Sequence, residues 1–527
     1  MIKPIKIPSA LVRAIEQRLI ELNGCQAMLR FALSNHHDYD IPQEKINELN
    51  DIILKTKLEY EFLKEQIYDF IPENIPKNIP WDLDFDSELI VIKGYTEELP
   101  KEKKHITANG YDDVLHRVYD YSKEYANKKH IEVTFQVTEA CSLACTYCYQ
   151  HNKTPKVMSL DVAKKYIDVI FNDLKDTHFA IVLSFIGGEP LLQPELISNI
   201  VDYWDYKCIM ENINWGKLSR FSICTNGTEY RKEVCQKLIS KIGERLSFTV
   251  SIDGNKELHD SARIFPDGRG SYDLAIDAAT DFEKRYNIDL GSKMTIAPSN
   301  IIFLYPAIKH YLNSGKTEIF ANCVYEEGWT YDDATLFYKE LKKVADYILE
   351  NCPDIFLSLF EEDYFEPMSE TDNQNWCGGN GLMLAADPDG VLYPCLRYMP
   401  SSIGDKQEIL TCGHIETGID TSLLKEMQKI TRRSQSTDEC FYCPIAKGCS
   451  WCTAYNYEVF GTINKRATFI CPMHKARALA NVYFWNKYYE LKKINKVKKN
   501  YCPKEWALEI IDENEYEMLN NLALRLS

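Results

Sequence analysis

Apolar runs alternating with helical patterns between residues 131 and 349 predict an α/β chain built on a parallel sheet. Six such repeats suggest a partial (β/α)6 barrel or an open sheet. Two further observations frame it. A helical pattern occupies the N-terminal part, and a cysteine-dense segment follows residue 370. The expected organisation is a helical hairpin extension over 1–80, a linker and lead-in over 81–130 and the barrel over 131–365. A cysteine-rich domain over 370–475 and a helical tail over 476–527 complete it.

At the N-terminus, Leu11, Ile15, Leu19 and Leu22 mark one helix face, and Gly24 falls where that helix could stop. After Ile41-Pro42, the positions Ile46, Leu49, Ile53, Thr56, Tyr60, Leu63, Ile67 and Phe70 alternate three and four apart, a heptad seam. A structural extension packed on itself or on the main domain explains it; a docking surface for a peptide or a second subunit is the alternative. Residues 71–90 read as a linker with Pro72, Pro76 and Pro80.

The first apolar run of the repeats, Ile131–Val137, leads into Cys141, Cys145 and Cys148 at CxxxCxxC spacing. Three closely spaced thiolates on a loop can hold three irons of a four-iron cube, leaving one iron open to a substrate or cofactor. A zinc knuckle usually needs paired ligands and a fourth donor, which is not nearby; scattered core cysteines are the other alternative. The remaining expected strands are Phe179–Ile186, Phe221–Cys224, Leu246–Ile252, Gly291–Ile296 and Glu318–Phe320. Helices are expected near Ser159–Leu174, Glu195–Trp204, Arg231–Ile242, Tyr272–Tyr286, Ile301–Leu312 and Thr335–Leu349. Ligands in such folds bind at the C-terminal strand ends, and the turns there carry suitable groups. Gly187-Gly188-Glu189-Pro190 offers a close backbone approach and a carboxylate for an ammonium group. Thr225-Asn226-Gly227 offers ribose partners, Ser251 opens the next turn, and Arg263 could grip a carboxylate with two hydrogen bonds.

Further on, Cys377 and Cys395 frame an expected hairpin turn at Asp387-Pro388-Asp389-Gly390. Cys412, Cys440, Cys443, Cys449, Cys452 and Cys471 follow. A CxxC, five residues and a second CxxC form a strong metal-binding signal; zinc could fill four sites, but further iron–sulfur clusters suit the ligand count better. The chain has 527 residues and eighteen cysteines, without a visible signal peptide or membrane-span pattern, so a cytoplasmic location with metal or catalytic thiols is expected. Net charge is −17, which argues against a nucleic-acid surface. The lysine-rich stretch Lys487–Lys499 reads as a solvated helix end.

Over about residues 130–475 these motifs together resemble a radical S-adenosylmethionine (SAM) enzyme with a C-terminal SPASM domain. The resemblance implies S-adenosyl-L-methionine and three [4Fe–4S] clusters, one at the radical SAM site and two auxiliary. It puts Cys141, Cys145 and Cys148 on the first cluster and Tyr147 beside the adenine. Gly187, Gly188 and Glu189 fall by the amino group, Asn226 and Ser251 by the ribose, and Arg263 by the carboxylate. Cys440, Cys443, Cys449 and Cys471 would hold an outer auxiliary cluster, and Cys377, Cys395 and Cys452 an inner one. The fourth inner ligand is Cys412 or an open position for a substrate thiolate. Cys449-Ser450-Trp451-Cys452 is one residue short of the family spacing.

Within the family the chain is similar to peptide maturases of the kind paired with CXXX-repeat precursors. That implies a ribosomal precursor peptide as substrate, an electron donor such as flavodoxin or ferredoxin, and thioether formation through a 5′-deoxyadenosyl radical. Anaerobic sulfatase maturases share the frame, but usually carry an aspartate directly after the cysteine matched by Cys395, where this chain has Leu396-Arg397. Formylglycine formation, a carbon–carbon peptide crosslink and a non-enzymatic metal-binding scaffold are the alternatives.

Overall fold

A computed structural model of the chain describes residues 5–35, 38–71, 81–84, 89–92, 105–106 and 129–526, apart from 291, 317, 327 and 376. Strand β1 (Ile5–Lys6) leads into the helix Ser9–Ser34, which runs through Gly24. The expected stop there is wrong for a packing reason. A Cβ at Gly24 would lie 2.3 Å from the Lys217 carbonyl oxygen, so the glycine lets this helix cross the segment Ile213–Leu218 on the barrel's outside. The helix Gln43–Glu65 returns antiparallel and buries Ile46, Leu49 and Thr56, as its seam predicts. Strands β2 (Trp81–Asp84) and β3 (Leu89–Ile92), read in sequence as linker and lead-in, join β1 in a three-stranded antiparallel sheet ordered β1-β3-β2. Ile7, Val12, Ile15, Ile67 and Ile90 form a small core of their own beneath it. The alternation in β2 and β3 is too short to stand out from a proline-rich stretch. Most of 81–130 lies outside the described residues; β4 (His105–Ile106) is described and pairs with the later β9.

The six expected barrel strands all form. Strands β5 (Lys129–Thr138), β6 (His178–Gly187), β7 (Arg220–Thr225) and β8 (Leu246–Val250) pair in parallel in that order. Val133, Phe135, Leu183, Phe185, Phe221 and Phe248 fall in register on one face of this sheet and are buried along it. The connecting helices follow the predicted faces. Leu160–Leu174 starts at Ser159, whose side chain accepts from the Val162 N–H at 3.2 Å, and buries Ala163, Tyr166, Ile167, Ile170, Phe171 and Leu174. After β9 (Asp289–Leu290), the strands β10 (Ser292–Ile296), β11 (Glu318–Cys323) and β12 (Phe356–Leu357) form a separate parallel sheet.

Among the described residues no ladder joins β8 to β10; side chains bridge the gap. The Thr295 N–H donates to Asp253 Oδ1 at 3.0 Å, and the Tyr311 hydroxyl donates to the Ile252 carbonyl at 2.7 Å. On the other side the sheet runs on. Strand β13 (Met383–Ala386) pairs in parallel with β5, and β14 (Val391–Tyr393), β15 (Gly413–His414) and β16 (Gly418–Ile419) extend it antiparallel. The β13–β14 turn is the predicted hairpin. Gly390 has φ +85°, and the Asp387 carboxylate accepts from the Asp389 and Val391 N–H groups at 3.0 Å each.

The helix Cys471–Lys492 packs along Tyr331–Asn351, and the helix Glu513–Leu526 packs on it. Most of the lysine run is solvated, as expected, with Lys492, Lys493, Lys496 and Lys499 exposed. Lys498 is 3% exposed and donates to the Glu362 and Tyr364 carbonyls and to Glu366, while Lys487, Lys492 and Lys496 pair with Asp346, Asp354 and Glu362. No helix among the described residues is long and apolar enough to cross a membrane.

Candidate functional site

The first thiol group sits on the loop after β5, which the neighbouring strand ends hold by backbone contacts. The Gly188 N–H donates to the Thr138 carbonyl at 3.0 Å and the Glu189 N–H to the Ala140 carbonyl at 2.9 Å. The Ala144 and Thr146 N–H groups reach the Ile264 and Ala262 carbonyls at 2.7 and 3.0 Å. A Cβ at Gly187 would meet the Thr138 carbonyl oxygen at 2.3 Å, and one at Gly188 the Ala140 oxygen at 2.2 Å. The glycine pair therefore makes room for the cysteine loop itself.

A cavity of 500 Å³ is lined by Cys141, Cys145, Cys148, Gln150, His151 and Lys153, among others. Lys153 Nζ donates to Cys148 Sγ at 3.3 Å, and the Leu143 N–H to Cys141 Sγ at 3.4 Å. Burial pushes the Cys145 thiol up to about 11, with Arg263 opposing, and raises the Cys141 thiol as well.

The turns bring the other sequence-predicted residues to this loop, with different partners from those expected. Glu189 is 1% exposed; its carboxylate accepts from the Leu191 N–H at 3.0 Å, the Thr225 hydroxyl at 2.6 Å and the Asn226 N–H at 2.8 Å. It ties β6 to the end of β7. Asn226 Nδ2 donates to Ser142 Oγ at 3.0 Å and lies 3.8 Å from Cys141 Sγ. Ser251 Oγ is 3.7 Å from Cys224 Sγ. Arg263 pairs with Asp253, Nε to Oδ2 at 2.7 Å and Nη2 to Oδ1 at 3.4 Å, and its guanidinium lies 5.4 Å over the Tyr147 ring, whose hydroxyl also donates to Asp253.

Sequence reasoning missed Asp253 as the hub of this pocket, although it stands two residues after Ser251. It missed Lys153 too, five residues after Cys148. His259 completes the hub: burial, then Arg263, holds it down at about 4, so the ring is neutral. Its Nδ1 accepts from the Asp253 N–H at 3.2 Å, which leaves Nε2 to donate to Ser271 Oγ at 3.0 Å.

The later cysteines fall into two further groups. Cys377, Cys395 and Cys452 lie close together: burial, then Cys452 and Cys377, raises the Cys395 thiol, and burial raises the Cys452 thiol, with Arg397 opposing and Cys377 adding. Gly379 sits between two of them: a Cβ there would be 3.5 Å from both Cys377 Sγ and Cys395 Sγ. Cys440, Cys443, Cys449 and Cys471 stand together in the same way: burial raises the Cys443 and Cys471 thiols, and Cys449 and Cys440 add to both. Burial opposes ionisation of Cys449, but His474 and Arg466 bring it down to about 6. Cys412 is fully buried and couples to Asp420 and Tyr166, away from both groups.

Tyr149 lies between the first group and the inner one. Its charged neighbours are Arg397, Cys148, Cys395 and Cys224, and the Arg397 guanidinium is 4.9 Å over its ring. Cys224 is the one exposed thiol of the eighteen.

Two of the groups carry a buried N–H donor with no partner, Gln150 Nε2 on the loop cavity and Arg397 Nε beside Cys452, while in the outer group His474 hydrogen-bonds Cys449. Orphaned donors facing thiolates fit cluster sulfurs as acceptors. Among the described residues no three His, Cys, Asp or Glu side chains converge tightly enough for a single metal ion.

Comparison with known proteins agrees with this chemistry. MJ0907 of Methanocaldococcus jannaschii is 32% identical over 196 residues, 36% of this chain and 61% of that protein. The mycofactocin maturase MftC of Mycolicibacterium smegmatis is 23% identical over 60% of this chain and 76% of its own. AlbA of Bacillus subtilis, an antilisterial bacteriocin subtilosin biosynthesis protein, is 28% identical over 25% of this chain and 27% of its own. The match to MJ0907 thus spans less than two thirds of that relative. The solved structure of native anSMEcpe with bound AdoMet shares the fold, with a TM-score of 0.50 and 18% identity over 75% of this chain and 100% of that one. Residues 135–294 match the Radical SAM superfamily, whose members use S-adenosylmethionine and a [4Fe–4S] cluster.

Proposed function

We propose that this chain is a peptide maturase that closes a thioether between a cysteine sulfur and a carbon of a ribosomally made precursor peptide. When bound, the loop cluster and S-adenosylmethionine supply a 5′-deoxyadenosyl radical able to take hydrogen from an unactivated carbon. The chain's own task is to seat the cofactor, hold the peptide between two thiol groups and keep water out. Cys141, Cys145 and Cys148 would hold the loop cluster. Tyr147 and the backbone of Gly187 and Gly188 would border the cofactor. Asn226 and Ser251 remain candidates for its ribose. Glu189 and Arg263 act on it through what they position, since three donors engage the Glu189 carboxylate and Asp253 engages Arg263.

The observation that carries the thioether reading is the inner set of three thiols. Cys377, Cys395 and Cys452 stand together, while Cys412 points elsewhere. A fourth, external thiolate then has a place, and Tyr149 puts that place next to Cys148. Cys440, Cys443, Cys449 and Cys471 would hold a second auxiliary cluster. Thioether closure removes one hydrogen from carbon and one from sulfur, and the surplus electron needs a sink such as these clusters. An external one-electron donor such as a flavodoxin or ferredoxin would start each turnover. The sulfatase-type alternative is disfavoured by Arg397, a cation that pairs with Glu326 at 2.8 Å in the region where that chemistry usually has an aspartate.

The test is anaerobic reconstitution with reductant and S-adenosylmethionine, then mass spectrometry on a CXXX-repeat peptide. A loss of about 2 Da with 5′-deoxyadenosine is expected. An unchanged peptide mass with cofactor cleavage intact would sink the thioether reading.

A further inference from the structure

The two later thiol groups differ in how their nearest cation is neutralised. Beside the inner group, Arg397 Nη2 contacts Glu326 at 2.8 Å and Glu458 at 3.4 Å, so two carboxylates share its charge. Beside the outer group, Arg466 Nη2 donates to Cys449 Sγ at 2.8 Å. Its nearest charged neighbours are Cys449, Cys440 and Cys471, and among the described residues it forms no ion pair with a carboxylate. His474 and Arg432 add further basic groups on the same side, against Cys449 and Cys440.

Arg466 is also held rigidly. Its guanidinium stacks 4.0 Å over the Trp451 ring, and its backbone N–H donates to the Gln435 carbonyl at 3.0 Å. The Trp451 indole N–H donates to Gln435 Oε1 at 3.0 Å and lies 3.2 Å from Asn375 Oδ1. Trp451 follows the outer-group Cys449 by two residues and directly precedes the inner-group Cys452. The shortened spacing therefore puts one aromatic side chain between the two groups along the chain, with an uncompensated cation on its face.

We propose that Arg466 sets the redox order of the two auxiliary clusters, so that one electron shared between them rests on the outer one. The inference rests on both groups holding clusters. An added electron makes a thiolate-ligated cluster more negative. A charge-assisted N–H···S bond from an unpaired guanidinium stabilises that state, and a guanidinium already shared by two carboxylates does so less. The transfer is one electron out of the inner cluster and one into the outer, with no proton moved.

The experiment uses the full chain reconstituted under nitrogen, with the loop cluster removed by C141A/C145A/C148A so that only auxiliary signals remain. Iron and sulfide are counted, and the reduced clusters are followed by electron paramagnetic resonance during titration with dithionite. A C452S variant identifies the outer signal. The outer cluster should reduce first. In R466Q the ratio of reduced outer to reduced inner cluster should fall at least tenfold, which is about 59 mV for one electron, and R466K should fall between. An unchanged reduction order in R466Q with iron retained overturns the proposal. Equal loss of about four irons in R466Q and R466K, by cluster arithmetic, also overturns it, because Arg466 would then retain the cluster and not tune it. Fewer than about eight irons in the parent defeats the two-cluster reading, and this proposal with it, at a separate step.

Discussion

Replacing Asp253 by Asn removes a charge on which three groups converge. Asp253 is fully buried. It accepts from Arg263 Nε at 2.7 Å, Arg263 Nη2 at 3.4 Å and the Thr295 N–H at 3.0 Å, as well as from the Tyr147 hydroxyl. Asn keeps the volume but leaves the Arg263 guanidinium buried without its counter-charge. It also turns an N–H₂ group toward a ring of donors. Removing one partner of a buried ion pair costs about 3–5 kcal/mol. Global unfolding of so large a chain is not two-state, so the local readout is hydrogen exchange at Thr295 and over Asp253–Ile264. A loss of about 3 kcal/mol corresponds to about two decades in the local opening constant. The double variant D253N/R263M should recover much of that loss, because it removes the stranded cation as well. Exchange in D253N within about threefold of the parent, a difference below 1 kcal/mol, would refute the reasoning. So would a double variant less stable than D253N.

Other outcomes follow from single contacts. C377S, C395S and C452S should each lose about four irons after reconstitution, whereas C412S should lose none; iron loss in C412S would return that residue to the inner set. G188A forces a Cβ to 2.2 Å from the Ala140 carbonyl oxygen, so it should displace the cysteine loop and lower iron content by about one cluster while leaving far-ultraviolet circular dichroism unchanged. His259 is held neutral down to about 4 against an ordinary 6.5, so below pH 6.5 the unfolded chain binds a proton that the folded chain refuses. Stability should therefore fall between pH 6.5 and 4, by about 3 kcal/mol at most, and H259Q should flatten that slope in denaturation measured across the window.

The barrel was legible because each of its strands is an apolar run and each helix keeps a 3.6-residue face, so local pattern and burial agree. The N-terminal helix was misread at Gly24 because a glycine that ends a helix and one that admits a neighbouring backbone look alike in sequence. Only Lys217, nearly two hundred residues away, distinguishes them. The small sheet of β1, β2 and β3 was missed for the opposite reason: its strands span two and four residues, below the length at which alternation carries a signal. Within the lysine run only Lys498 was misread, because charge density says nothing about the Glu362 and Tyr364 carbonyls and the Glu366 carboxylate that the fold supplies.

At the site, residue identity was more legible than residue role. The cysteine spacings and the strand-end turns marked residues that the fold brings to one loop, but Glu189 and Arg263 carry charges whose partners lie on other turns. Glu189 reaches β7, and Arg263 finds its counter-ion ten residues back at Asp253. A carboxylate already accepting three hydrogen bonds has little left for an ammonium group, and a guanidinium paired through two nitrogens has little left for a ligand carboxylate. Both are better placed to fix the loop than to bind. The corollary concerns product choice. If the pocket walls are fixed, the groups free to differ between enzymes of one fold are those facing the space between the two thiol groups. In this chain these are Tyr149, the exposed Cys224 and Arg397. None of them belongs to the loop motif that marks the family, and they come from three separate parts of the chain. A spacing rule written on one segment cannot contain them, which is why the sequence identifies the chemistry that starts the reaction more readily than the bond that ends it.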